Sequence, residues 1–179
     1  MKATGIVRRI DELGRVVIPK EIRKTLRIKE GDPLEIYTDR EDVLFRKYSP
    51  LAGIEGEATA LAESLHEVTD LTAIIFDSDA VIAAAGKDAK QLVGEPVSEE
   101  LEQLMRERTT RITSRQDGRV VPLFRKEIVQ IGSQIVVPVI SGGDLLGCVA
   151  LISGREEMLD ECELLVAKNA AAFLARRFE

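Results

Sequence analysis

Residues 1–50 are the part of this chain with the fewest folding options. They read MKATGIVRRIDELGRVVIPKEIRKTLRIKEGDPLEIYTDREDVLFRKYSP, short apolar runs broken every few positions by charge or turn residues. That pattern supports four short strands and one short helix, which together bury little apolar surface. A unit of about 50 residues has too much surface for its volume to be more than marginal alone. This head is therefore expected to complete its core from a second copy of the chain.

Charge divides the chain in the same place. Residues 1–50 carry 12 Lys+Arg against 9 Asp+Glu, whereas residues 51–179 carry 13 against 22. A basic head on an acidic body points to two jobs. The duplex backbone is a dense line of negative charge, so the head is the natural candidate to bind it.

Within the head, residues 4–10 are expected as a strand leading into the polar turn Asp11-Glu12-Leu13-Gly14. Arg15–Ile18 is a second, β-branched strand. Pro19 fits the first position of a helix over Lys20–Arg27, where its missing N–H costs nothing. Ile22 and Leu26, four apart, make the apolar stripe of that helix, with Arg23, Lys24 and Arg27 away from it. Glu30-Gly31-Asp32 ends the helix. Leu34–Tyr37 and Val43–Tyr48 then form a hairpin around Asp39–Asp42.

Pro50 and Gly53 break the pattern and separate a first domain, 1–50, from a second, 54–179. The second opens with a helix on Ile54, Ala58, Leu61, Ala62, Leu65 and Val68. Strands are expected at Leu71–Phe76, Ala80–Ala85, Arg119–Phe124, Ile128–Ile140 and Leu146–Ile152, and a helix at Glu99–Arg108. A long helix, Glu156–Arg177, closes the chain. Its expected inner face is Met158, Cys162, Leu165, Val166, Ala170, Phe173 and Leu174. Glu156 and Glu157 suit its start and Arg176-Arg177 its end, as the helix dipole prefers. This order describes an α+β domain with an antiparallel sheet and flanking helices.

Several function classes have little support. No apolar run approaches the roughly 18–20 residues of a membrane helix, and MKATGIVRRIDEL lacks the apolar region of a signal peptide. A cytoplasmic, nucleoid-associated location and no membrane partner are the expectation. Cys148 and Cys162 are too few for a disulfide framework and lack metal-ligand spacing, so both are expected as reduced core thiols. With His66 the single histidine, neither a metal site nor a cofactor is expected. Gly142-Gly143-Asp144 has no Lys-Ser/Thr after it and opens no helix, so it is expected as a turn rather than a phosphate loop.

The run GIVRRIDELGRVVIPKEIRKTLRIKEGDPLEIY, closed by the strand ending in Lys47-Tyr48, resembles the AbrB-type swapped-hairpin domain of bacterial transition-state regulators. The resemblance implies an interleaved dimer whose hairpins form one small barrel, with arginines of both chains turned to double-stranded DNA. Residues 54–179 resemble a GAF-like sensory domain, through the strand entry Val137-Pro138-Val139 and SGGDLLGCVALIS before the last helix. The combination is similar to SpoVT-like regulators. It implies a transcriptional regulator of sporulation or transition-state genes, a homotetramer built through the C-terminal helices, and room for an unidentified small molecule in the GAF-like domain.

The candidate DNA-binding residues are Arg8, Arg9, Arg15, Arg23 and Lys24, which crowd one short segment. Released counterions let several weak phosphate contacts sum to usable affinity, and guanidinium forks can read guanine edges. The family pattern maps contact onto Arg8, Arg15, Arg23 and position 24, where Lys24 keeps the charge and loses the fork. The competing reading is a solvated face paired with Glu12, Glu21 and Glu30. Two other functions stand beside DNA binding: an antitoxin-like protein-binding head, and a thiol enzyme of the GAF type.

Overall fold

The computed structural model describes residues 5–178 and divides into two compact units, Met1–Tyr48 and Ser49–Glu179. In the first unit, α1 spans Lys20–Leu26 and a hairpin joins β1 (Leu34–Asp39) to β2 (Asp42–Lys47). Leu34 pairs with Lys47 and Asp39 with Asp42, and the turn places Arg40 at φ 53°. Pro19 stands just ahead of α1 as its N-cap, one position earlier than expected. Its carbonyl accepts the first helical bond, from the Arg23 amide at 2.9 Å. The helix ends at Leu26, before the Glu30-Gly31-Asp32 turn, because Arg27 adopts a left-handed conformation and Ile28 N–H bonds back to the Arg23 carbonyl.

The two strands expected at the start of the head are not formed. Residues 5–10 and 15–18 form no strand, and Thr4 lies outside the described residues. The physical reason is on the surface of the unit. Among described residues 5–48 the buried apolar residue is Pro19; Val7, Leu13 and Val17 are 88%, 74% and 72% exposed. A strand segment gains little by pairing when no core lies behind it.

The second unit runs from a single 3-10 turn at Pro50–Gly53 into α2 (Glu55–Thr69), β3 (Thr72–Phe76), β4 (Val81–Ala85), α3 (Ala89–Leu92) and α4 (Glu99–Arg106). It continues through β5 (Arg111–Ser114), β6 (Ser133–Ser141) and β7 (Asp144–Ser153) to α5 (Glu161–Arg176). The five strands form one antiparallel sheet in the order β4-β3-β7-β6-β5. α2 and α5 cover one face, where Ala73, Ile75, Ile135, Val137 and Leu151 meet Ala58, Ala62, Leu65, Ala167, Ala170 and Leu174. The other face packs Ile74, Phe76, Val136, Cys148, Ala150 and Ile152 against Leu92, Leu101, Leu104, Met105 and Leu123. Both faces of the central strands are covered, which is why β3 reads as an unbroken apolar run. Pro138 falls past the end of β5, where β6 has a neighbour on one side only.

Four expectations for this unit change. Arg119–Phe124 is an irregular segment with one isolated bridge, Val97 to Phe124; Pro122 denies it a ladder donor. The strand expected at Ile128–Ile140 begins only at Ser133, while Arg111–Ser114 supplies a strand and Ala89–Leu92 a helix that the pattern did not reveal. α5 starts at Glu161 rather than Glu156, because Asp160 and Glu163 form a reciprocal capping box there. Val68, Met158, Leu165 and Phe173, expected inside, are exposed, as is Cys162. Alanines take the inner positions instead and let α2 and α5 approach the sheet closely.

Gly147 makes the tightest joint of the sheet. A Cβ built there would lie 2.0 Å from the Phe76 carbonyl oxygen, at the pairing of β3 with β7. Gly147→Ala is expected to lower stability by about 2 kcal/mol or more through overpacking, and Asp160→Ala by about 1 kcal/mol through loss of the cap. Thermal or urea denaturation checks both, and an unchanged midpoint for Gly147→Ala would contradict the close approach.

Candidate nucleic-acid interface

All five candidate residues are exposed. Arg8 and Arg9 lie on the extended segment that precedes the turn, Arg15 closes the turn, and Arg23 and Lys24 follow one another on α1. Secondary structure brings together only Arg23 and Lys24; Arg8 and Arg9 are neighbours on the segment before the turn, and Arg15 lies beyond it. No carboxylate among the described residues lies within 4 Å of Arg8, Arg9, Arg23 or Lys24, so the pairing with Glu12, Glu21 and Glu30 does not form. Arg46 is differently placed: its guanidinium stands 5.1 Å from the centre of the Tyr37 ring, whose hydroxyl donates to Glu35.

Arg15 is the one member held in position. Asp11 Oδ1 accepts the backbone N–H groups of Leu13 at 3.0 Å and Arg15 at 2.8 Å, and its Oδ2 accepts Arg15 Nε at 2.8 Å. Arg15 returns a backbone bond, its carbonyl accepting Asp11 N–H at 3.1 Å, and Gly14 turns the chain at φ 76°. Asp11 thus fixes the turn and aims the guanidinium, while the Arg15 side chain stays 70% exposed. These bonds favour the ionised carboxylate, so its pKa is lowered, chiefly by the Arg15 amide and then by the Arg15 side chain.

In the body, the residues set aside by the sequence reading behave as structure. His66 Nδ1 donates to the Leu71 carbonyl at 2.8 Å, and a Cβ on Gly86 would lie 3.0 Å from the same nitrogen. His66 therefore locks the end of α2 to the sheet. Cys148 is fully buried, and burial first, then the nearby Asp77 charge, push its thiol well above the ordinary range. Cys162 is exposed rather than buried, at the start of α5 between Glu161 and Glu163. Gly142-Gly143 forms the β6–β7 turn at φ 57° and 91°, and Arg108 Nη2 donates to the Gly143 carbonyl at 2.6 Å. No group of His, Cys, Asp and Glu among the described residues could hold a metal ion. No helix among them is long and apolar enough to cross a membrane.

The sequence reading missed a basic stretch in the acidic body: Arg106, Arg108, Arg111, Arg115, Arg119, Arg125 and Lys126 against Glu107 and Asp117. Two cavities, of about 640 and 340 Å³, adjoin it on the α4 side of the sheet. The local charge count was the available signal, hidden by averaging over the whole body.

Residues 54–179 match the family described as "Stage V sporulation protein T C-terminal, transcription factor". Residues 7–50 match "Antidote-toxin recognition MazE, bacterial antitoxin". Over 180 residues the chain is 43% identical to stage V sporulation protein T of Bacillus subtilis (strain 168), covering 100% of this chain and 99% of that protein. The head is 64% identical over 50 residues to the transition state regulatory protein AbrB of the same bacterium, which is 28% of this chain and 52% of that one. Among solved structures, the GAF domain of an Acinetobacter phosphoenolpyruvate-protein phosphotransferase is similar, with TM-score 0.57 and 12% identity over 68% of this chain and 80% of that one. The cofactor-binding GAF domain of the nutrient sensor CodY from Clostridium difficile aligns with TM-score 0.52 and 17% identity over 89% and 94%. At these identities the likeness is one of fold.

The Asp11 turn gives a signed pH dependence. Because the folded pKa is depressed, the stabilisation is present above the unfolded value and is lost as pH falls through the folded one. An NMR titration of the Leu13 and Arg15 amides should show a midpoint below the ordinary Asp value of about 3.9. A midpoint at or above that value would contradict the arrangement.

Proposed function

The chain belongs to the family of stage V sporulation protein T, and on that premise we propose that it is a double-stranded DNA-binding transcriptional regulator of sporulation or transition-state genes. Residues 1–50 are the DNA-binding and dimerisation domain, and residues 54–179 oligomerise the protein and sense a small ligand. Arg8, Arg9, Arg15, Arg23 and Lys24 carry the DNA contacts. The observation that supports this most is their exposure, with Arg8, Arg9, Arg23 and Lys24 in no ion pair with any described residue and Arg15 held by Asp11, in a head that shares 64% of its residues with a transition state regulator. Two heads pair, because the apolar residues that one head leaves exposed are enough to make a core only when another copy covers them. The pair forms the swapped-hairpin barrel and doubles the five cations to ten.

Leu165 and Phe173 of α5 and Val68 of α2 are among the exposed large apolar side chains of the body, and through the α5 pair two head dimers join as a tetramer. Linked heads bind two DNA segments at a higher effective concentration. The protein acts in the cytoplasm at the nucleoid, and regulation rather than catalysis is its role. In support, Cys148 is unreactive by burial and Cys162 lies among carboxylates. The antitoxin reading draws on the family match over 7–50, but it leaves a folded unit of Ser49–Glu179 without a task. Co-purification of a small toxin would revive it.

Fluorescence anisotropy across a salt series tests the reading, with the intact chain and Arg15→Ala/Arg23→Ala. The double variant should bind far more weakly, with a salt slope shallower by about 0.9 for each phosphate that is no longer neutralised. Binding untouched by the substitutions would sink the assignment. Light scattering of the intact chain should give four chains per particle, and two would remove the body-to-body contact.

A further inference from the structure

The larger cavity on the α4 side, about 640 Å³, has walls tied together by hydrogen bonds. Ser98 N–H donates to the Leu123 carbonyl at 3.0 Å, and Ser98 Oγ to the Pro122 carbonyl at 2.5 Å. Arg125 Nε donates to the Val97 carbonyl at 3.2 Å. Across the segment, Arg115 N–H reaches the Gly132 carbonyl at 2.8 Å and Arg115 Nε the Ile131 carbonyl at 2.7 Å. Two guanidinium groups that line one cavity are thus each held through Nε.

A guanidinium carries five N–H donors, so most of each fork is left over. Among the described residues the Nη atoms of Arg125 meet no acceptor. The carboxylate nearest Arg115, that of Glu127, stands 3.8 Å from its Nη2 and is 80% exposed. Lys126 lines the same cavity and forms no ion pair with any described residue. Arg115, Arg125 and Lys126 are all exposed, so their donors are open to a molecule in the cavity. A tethered fork loses less freedom on meeting a carboxylate than a free one does.

The remaining walls decide what kind of anion fits. Val120, Val121 and Val129 pack against the apolar cluster of this face, to which Leu123, Phe124 and Ile131 belong. The volume is in the middle of the range for ligand pockets. Glu99 and Glu100 also line the cavity, in the first turn of α4, where the helix dipole favours negative charge. With Glu127 they place three carboxylates around the cavity, which repel a polyphosphate or a DNA backbone far more than a single negative charge.

We propose that this cavity binds a small monocarboxylic acid with an apolar body. The carboxylate is taken by the Nη groups of Arg125, with Lys126 and Arg115 adding positive charge, and the body lies on the valine wall. This rests on the reading of residues 54–179 as the ligand-sensing part, and it supplies the ligand class for that part.

Isothermal titration of the intact chain with 3-phenylpropanoate and 4-methylpentanoate tests the assignment, beside their primary amides and acetate. At least one acid should bind with Kd below about 1 mM, and its amide and acetate at least about ten-fold more weakly. Arg125→Gln should erase the preference for acid over amide. Lys126→Gln, at an exposed side chain, is the second variant if the first does not fold, and should weaken the acid about three-fold without affecting the amide. Absence of binding by both acids up to about 10 mM, amides or acetate as tight as the acids, or an unchanged preference in both variants would overturn it. DNA anisotropy with and without the acid that binds reads the parent proposal separately. Acid binding that leaves DNA affinity unchanged upholds the site and counts against the sensing role; DNA binding without acid binding overturns the site and leaves the DNA-binding reading standing.

Discussion

The head cannot cover its own apolar residues, and the proposed pairing of two heads rests on that. Val7, Ile10, Leu13, Val16 and Val17 precede α1, and Ile36, Val43 and Phe45 sit on the hairpin, all exposed in the single chain. Hydrophobic burial is the dominant favourable contribution to folding, so a segment with these side chains in water gains most by meeting another like itself. The same segment carries Arg8, Arg9 and Arg15 between its apolar residues. Pairing two heads therefore hides the apolar positions and concentrates the charged ones. On the proposed reading, stability and nucleic-acid binding are two outcomes of one association.

The body has the opposite character. Its five-stranded sheet is covered on both faces, with alanine-rich helices on one side and α4 with the irregular 119–131 segment on the other. Close packing leaves the large residues of α5 outside: Leu165 and Phe173 are exposed while Ala167, Ala170 and Ala171 are buried. On the other side the packing is less complete. There the sheet keeps a buried amide and hydroxyl without partners, beside cavities whose walls are charged. On the proposed reading, the helical side meets another copy of the chain through the exposed Leu165 and Phe173. A ligand on the α4 side alters DNA binding only if it binds the alternative states of the protein with different free energies.

Much of this was legible in the sequence where a local signal had one meaning. The 39–42 turn and the Gly142-Gly143 hairpin sit where expected, and α4 buries Leu101, Leu104 and Met105. Signals with two meanings misled. α5 is apolar at so many positions that periodicity could not say which stripe faces inward, and the larger side chains were the natural but incorrect choice. Glu156 and Glu157 resembled a helix start, whereas the capping box at Asp160 and Glu163 was the stronger marker. RVVPLF is a short apolar run with two β-branched residues and so reads as a strand, yet Pro122 leaves it irregular. The head strands expected at 4–10 and 15–18 have no core behind them within one chain, which a reading of local alternation does not detect. For the candidate site, charge and exposure pointed to Arg8, Arg9, Arg15, Arg23 and Lys24, but only the folded turn reveals that Asp11 aims Arg15. That the buried Gln134 amide has no hydrogen-bond partner was likewise invisible, since a polar residue in a strand has a partner in most folds.

If two chains make one DNA-binding head, the head pair must survive without the body contacts. Sedimentation equilibrium of the intact chain carrying Leu165→Glu and Phe173→Glu, run beside DNA anisotropy, tests this most directly, because these substitutions remove the body contacts and leave the heads untouched. The expected result is particles of two chains that still bind DNA. A monomer that binds DNA as well as the unsubstituted protein would contradict it.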